Sequence, residues 1–217
     1  MKKLFDAVLF DFDGTIADTG EGIFKSIQSA VAAMGFEPLD ESTLRTFIGP
    51  PARDSFSRVL GLDGERSTEA VKKYREAYSE SGIFAFKLYD GIETMFRTLN
   101  ENGIFVGVCS SKPEPFIRRI IEHLGFDDLI DVVASPASDT KDESKAMLIE
   151  RAAATLGVDK SRVLMVGDRH FDIDGANLSG VQSVGVTYGY GDRDELEKAG
   201  ATHLVSKVCQ LNEIIFE

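Results

Sequence analysis

Asp11 and Asp13 stand two residues apart, directly after the apolar run Ala7–Phe10, in the pentapeptide Asp11-Phe12-Asp13-Gly14-Thr15. On an extended backbone the side-chain direction repeats every second residue, so the two carboxylates project to the same side. Such neighbours repel at neutral pH. They become tolerable when a cation binds or when one carboxyl keeps its proton, which are the needs of a metal ligand and of a general acid. The plain alternative is an Asp/Gly turn that ends the strand. A calcium loop also opens with Asp-x-Asp, but its fifth, sixth and twelfth positions would fall on Thr15, Ile16 and Gly22, where an acid or amide, a glycine and a glutamate are needed.

Three more polar groups follow apolar runs. Ser110-Ser111-Lys112 comes after Val106–Cys109, Gly167-Asp168-Arg169 after Val163–Val166, and Lys145 opens a helix beyond the run Val132–Ala134. Singly, each has an ordinary reading: a helix-capping serine, a solvated lysine, a Gly-Asp turn. Lys145 is the odd one, because a cation in a first helical turn opposes the macrodipole unless an anion meets it. Together they offer carboxylates for a metal, a hydroxyl donor and a cation. Cys109, inside an apolar run with no activating cation beside it in sequence, reads as core. His123 and His203 lack a metal-ligand partner at helical spacing, while His170 lies beside Asp168.

The elements that must position these groups are short buried strands alternating with amphipathic helices. The runs at 7–10, 105–109, 132–134, 163–166 and 183–186 read as strands. Ile92, Met95, Phe96 and Leu99, then Ile117, Ile120, Ile121 and Leu124, have helical spacing and are followed by Asn102-Gly103 and Gly125. This alternation predicts an α/β fold with a mainly parallel sheet, whose ligands gather beyond the carboxyl ends of the strands. From about Thr19 to Phe84 it lapses: Phe24, Ile27, Val31 and Met34, and the stretches 52–60 and 68–78, predict a helical insert after the first strand.

The chain has 217 residues, 43% hydrophobic, with 24 Lys plus Arg against 36 Asp plus Glu, a formal charge of −12. That charge disfavours nucleic acid or an anionic membrane as a diffuse partner, so an anionic ligand must be captured locally. No apolar stretch approaches the ~20 residues of a membrane span. Asp6, Asp11 and Asp13 interrupt what a signal peptide would need, and two cysteines cannot build a disulfide scaffold, so a reducing cytoplasm is expected.

The order of these motifs resembles the haloacid dehalogenase superfamily of phosphotransferases from end to end. Asp11 to Thr15 is similar to its first motif, Ser110 to the second, Lys145 to the third, and Gly167-Asp168-x-x-x-Asp172 to the fourth. The insert is similar to the C1 cap of subfamily IA. The resemblance implies a three-layer Rossmannoid core, residues 1–15 and 88–217, carrying a small helical cap, residues 16–87. It implies Asp11 as nucleophile, Asp13 as general acid/base, and Mg2+ held by Asp11, the Asp13 carbonyl and Asp168. Ser110, with its neighbour Ser111, and Lys145 would bind phosphate beside Gly14 and Thr15, and Asp172 would act one shell out. Ser111 competes with Ser110 for the second motif, Lys141 with Lys145 for the third, and Asp174 with Asp172.

Dehalogenases share the fold but lack the second carboxylate, so Asp13 points to phosphate chemistry. Gly49-Pro50-Pro51-Ala52-Arg53 resembles a cap segment of phosphoglycolate phosphatase-like and 5'-nucleotidase-like proteins, in which Arg53 could meet a second anionic group. The expected activity is thus Mg2+-dependent hydrolysis of a small phosphorylated metabolite, phosphoglycolate first and a nucleoside monophosphate second, by a monomer or homodimer. A phosphosugar mutase and a non-catalytic binding protein on the same fold are the rivals.

Overall fold

The run Ala7–Phe10 (β1) is buried at every position, as a strand covered on both faces must be. In the computed structural model, which describes residues 2–137 and 143–217, this strand lies inside a six-stranded sheet. After β1 and the two-residue strand β2 (Ala17–Asp18) come helices α1 (Gly20–Ala33), α2 (Glu41–Arg45), α3 (Ala52–Leu60) and α4 (Gly64–Ala77). A π-helical turn at Tyr78–Gly82 and the short strand β3 (Lys87–Leu88), which pairs with β2, complete this part. The chain then alternates: α5 (Ile92–Glu101), β4 (Phe105–Cys109), α6 (Glu114–Leu124), β5 (Val132–Ala134), α7 (Lys145–Leu156), β6 (Val163–Gly167), α8 (His170–Ser179), β7 (Gln182–Val186), α9 (Arg193–Lys198), β8 (His203–Val205) and α10 (Leu211–Ile215).

The sheet order is β5-β4-β1-β6-β7-β8, and each neighbouring pair is parallel. Strand β8 is absent from the sequence-based set because it is only three residues long and begins with exposed His203. Period-two alternation splits β1 between two layers. Ala7 and Leu9 join Cys109, Val163 and Met165 under Leu148, Ile149 and Ala152 of α7 and Ala176 of α8. On the other face the Phe10 ring lies 5.1 Å from Phe96 of α5, and Phe96 lies 5.9 Å from Phe126. Helix, sheet and helix give three layers.

Two compact units emerge, one of Met1–Ala17 with Leu88–Glu217, the other of Asp18–Lys87. Within the second, Asp40 and Asp63 start α2 and α4 by accepting the backbone N–H groups of Thr43 and Arg66. Its core includes Phe47 and Phe56, ring centroids 5.0 Å apart and both buried, which makes them packing residues and not exposed stacking platforms. Among the described residues no helix is long and apolar enough to cross a membrane.

Candidate active site

Strand register assembles the site. Phe10 is aligned with Val108 on one side and Val166 on the other, so Asp11, Ser110 and Asp168 all emerge at the carboxyl edge of three adjacent strands. Strand β1 is also where the order reverses, β4 and β5 lying to one side and β6, β7 and β8 to the other. Parallel sheets place their ligand sites at such a reversal. Lys145 arrives there as the first residue of α7, which Ser144 caps by accepting the Met147 N–H.

The Lys145 ammonium lies 3.1 Å from Asp11 Oδ1 and 2.8 Å from Asp172 Oδ1, and it donates to the Cys109 carbonyl at 3.0 Å. This answers the oddity of a lysine in a first turn: two buried carboxylates meet it. Burial alone would lower its pKa, but Asp11 and Asp172 outweigh burial and raise it, so the ammonium stays charged. Burial, with the charges of Asp172 and Asp13 adding to it against Lys145, raises the Asp11 carboxyl to about 6. Burial first, then Asp172 and Asp11, hold the Asp168 carboxyl well above the usual carboxylate range.

Oxygens of Asp11, Asp168 and Asp172 all come within 4.8 Å of one another. When ionised, these three carboxylates against one ammonium leave two negative charges in a dry site, the complement of a divalent cation. Asp172 has Oδ1 against Lys145 and Oδ2 accepting the Arg169 N–H at 3.1 Å. Asp168 accepts from Tyr190 N at 2.7 Å and Thr15 Oγ1 at 3.3 Å. The buried Asp11 Oδ1 and Asp172 Oδ1 receive no aligned hydrogen bond despite their ion-pair contacts with Lys145, and hard oxygen donors of this kind suit Mg2+ or a similar ion. The three carboxylates together fit such a cation, with Lys145 against Asp11 and Asp172.

Of the remaining sequence-based candidates, Asp13 pairs with Lys112, Nζ to Oδ1 at 2.8 Å. Ser110 is buried and its Oγ accepts the Lys112 N–H at 3.3 Å, whereas Ser111 is exposed. Gly14 has φ +85°, and a Cβ there would stand 2.1 Å from Asp168 Oδ2, so only glycine lets that carboxylate approach the first loop. Asp174 is exposed, and Lys141 lies outside the described residues. Arg53 belongs to the second unit, where its exposed guanidinium donates to the Gly64 carbonyl at 3.2 Å. Burial pushes the Cys109 thiol up to about 12, which suits a packing role.

The family model described as haloacid dehalogenase-like hydrolase matches residues 8–186. The chain belongs to that family. It is 36% identical over 208 residues to a 5'-nucleotidase of Pseudomonas aeruginosa, covering 96% of this chain and 94% of that protein. It is 37% identical over 208 residues to tyrosine-protein kinase PtkA of Mycobacterium tuberculosis, covering 95% of this chain and 70% of that one. The crystal structure of a predicted phosphatase from Clostridium acetobutylicum superposes with a TM-score of 0.92 at 36% identity, over 97% of this chain and 98% of that one. This haloacid dehalogenase-like hydrolase is a phosphoric monoester hydrolase of small phosphorylated substrates, and phosphatases of its family use a divalent metal.

Two parts of this hydrolase's site carry no strong signal in the sequence. One is the loop Tyr188-Gly189-Tyr190-Gly191 after β7. Tyr188 donates its hydroxyl to the Thr15 carbonyl at 3.1 Å, Tyr190 N holds Asp168, and a Cβ on Gly189 would lie 2.3 Å from the Gly14 carbonyl and 2.4 Å from Asp168 Cβ. Gly-x-Gly directly after a strand is the one local hint of it. The other is Glu195, one of whose oxygens accepts from Arg169 Nε and His170 N and contacts His170 Nδ1, pinning the loop that carries Asp168. Gly189→Ala is accordingly expected to displace Asp168 and lower phosphate release at least about tenfold, as angstrom-scale misplacement of reacting groups does. An unchanged rate with a folded protein would deny the loop this role.

Proposed function

We propose that the chain is a Mg2+-dependent phosphomonoesterase working through an aspartyl phosphate on Asp11, with residues 1–15 and 88–217 carrying the chemistry and residues 16–87 as its C1 cap. The observation that carries this reading is the buried cluster in which Lys145 neutralises one charge of Asp11 and Asp172 while Asp168 stands beside them. Asp11, Asp168 and the Asp13 carbonyl would hold Mg2+. When bound, that ion offsets the repulsion between the Asp11 carboxylate and a phosphate dianion.

Asp11 attacks phosphorus, forming the carboxylate–phosphorus bond as the bond to the substrate oxygen breaks. Asp13, the second carboxyl of the loop, gives its proton to the departing alkoxide. Lys145 and the Ser110 hydroxyl take the developing charge on the phosphoryl oxygens, with Ser111, Gly14 and Thr15 at the same edge. In the second half Asp13 removes a proton from water, whose oxygen attacks phosphorus. Inorganic phosphate leaves and the Asp11 carboxylate is restored. Asp172 keeps Lys145 in place throughout.

Nucleoside 5'-monophosphates move ahead of phosphoglycolate as substrate, since the 36% identity to a protein named 5'-nucleotidase extends over nearly the whole chain. Phosphoglycolate stays second, on the resemblance of the Gly49–Arg53 segment to that of phosphoglycolate phosphatase-like proteins. A phosphate-release panel with Mg2+, spanning nucleotides, phosphoglycolate, sugar phosphates and pyrophosphate, tests the whole reading. Release from 5'-nucleotides with the highest kcat/KM is the expected result. Interconversion of a hexose phosphate without release would make the chain a mutase, and silence on every compound would make it a binding protein.

A further inference from the structure

Lys112 is nearly inaccessible, its side chain 5% exposed, and its ammonium meets Asp13 Oδ1 at 2.8 Å. It also lies 5.5 Å from the Phe12 ring centroid. A lysine is costly to bury, and its charge must be matched by specific partners. The partner is the carboxyl of the first motif that Lys145 does not contact. Asp13 follows β1 and Lys112 follows β4, the adjacent strand, so the pair also ties the two loops together. The Lys112 backbone is itself held, its N–H donating to Ser110 Oγ. The ammonium is thus carried by a short turn fixed at the sheet edge and not by a wandering surface loop.

An ammonium on Oδ1 fixes the rotation of the Asp13 carboxyl. We infer that Lys112 is a positioning residue which holds Asp13 in the orientation for proton transfer to the leaving oxygen. This rests on Asp13 being the acid/base of the proposed reaction. The competing role for a buried cation here is direct capture of the substrate phosphate.

The two roles differ in their dependence on the leaving group. Proton donation matters for an alkoxide and little for p-nitrophenolate, which departs without a proton, whereas phosphate capture matters equally for both. Because Asp13 also serves as base in the second half-reaction, the first half is read alone: with Lys112→Met and saturating Mg2+, the single-turnover rate of leaving-group release should fall about 100-fold for glycerol 2-phosphate and less than about fivefold for p-nitrophenyl phosphate, with half-saturation little changed for both. Lys112→Arg should recover part of the alkyl-ester rate. Equal losses of that release rate on the two esters, or a raised half-saturation at constant maximal rate, would overturn the inference in favour of phosphate capture. Should the Met variant not fold, as judged by near-UV circular dichroism, Lys112→Gln takes its place under the same criteria. Asp13→Asn separates the two levels. If its leaving-group release shows the dependence on the ester and that of the Lys112 variants does not, only the positioning role fails; if it slows leaving-group release from both esters alike, the acid reading of Asp13 fails and this inference with it.

Discussion

Asp11→Asn is expected to lower kcat for phosphate release by at least about 10^4-fold while leaving the fold intact, the scale seen when a covalent nucleophile is removed. An amide oxygen is a far weaker nucleophile than a carboxylate, and a phosphorylated amide could not be hydrolysed back to the resting enzyme in the same way. Stability should hold, because the carboxylate being replaced is buried among Asp13, Asp168 and Asp172, whose charges oppose its ionisation. An Asn of the same shape keeps an oxygen for Lys145, which also retains Asp172 and the Cys109 carbonyl. The measurement is acid-quenched turnover of 32P-labelled substrate beside calorimetric melting. Wild-type protein should retain label and the variant none, at an unchanged or higher Tm. Retention of more than a tenth of the rate would move the nucleophile elsewhere.

The second large effect concerns Asp168. Its pKa is raised in the fold by burial and by Asp172 and Asp11, and that of Asp11 is raised to about 6. A raised carboxyl binds its proton more tightly in the folded state than in the unfolded chain. Metal-free stability is therefore greatest below the unfolded value near 4 and declines as pH climbs through the folded values, about 6 for Asp11. A divalent cation binds the ionised cluster, so its apparent affinity grows over the same interval. Millimolar Mg2+ should raise Tm at pH 7.5 by about 5–10 °C, if it exceeds its Kd about 100-fold, and should do little at pH 5. Asp168→Asn retains an acceptor for Tyr190 N and removes a carboxyl whose ionisation burial opposes. It should raise the metal-free Tm at pH 7.5 by roughly 3–6 °C, abolish most of the Mg2+ response and reduce turnover at least about 100-fold. A Mg2+ shift as large as in wild type would show that the cation is held by other groups.

Both expectations use residues that their immediate sequence neighbours single out. Asp11, Asp13, Ser110 and Asp168 each follow an apolar run, and a parallel sheet turns that local position into a shared edge. Lys145 stands out by its conflict with the helix dipole, which Asp11 and Asp172 resolve. The five runs read as strands are strands, since consecutive buried apolar residues have few other uses in an alternating chain. Strand β8 has no such run, because its three residues include an exposed histidine.

Periodicity, turn chemistry and residue type are properties of neighbours along the chain, and they suffice to specify the α/β class, the helical insert and the main polar groups at the strand ends. Contacts between distant segments obey no local pattern. Thr15 reaches Asp168 across 153 residues, Lys112 selects Asp13 while Lys145 selects Asp11, and Gly189 closes on Gly14 and Asp168 because the sheet order brings their loops to one edge. Which cation meets which carboxylate depends on distances of a few ångströms set by packing, and those are settled only when the whole sheet and its two helical layers have formed.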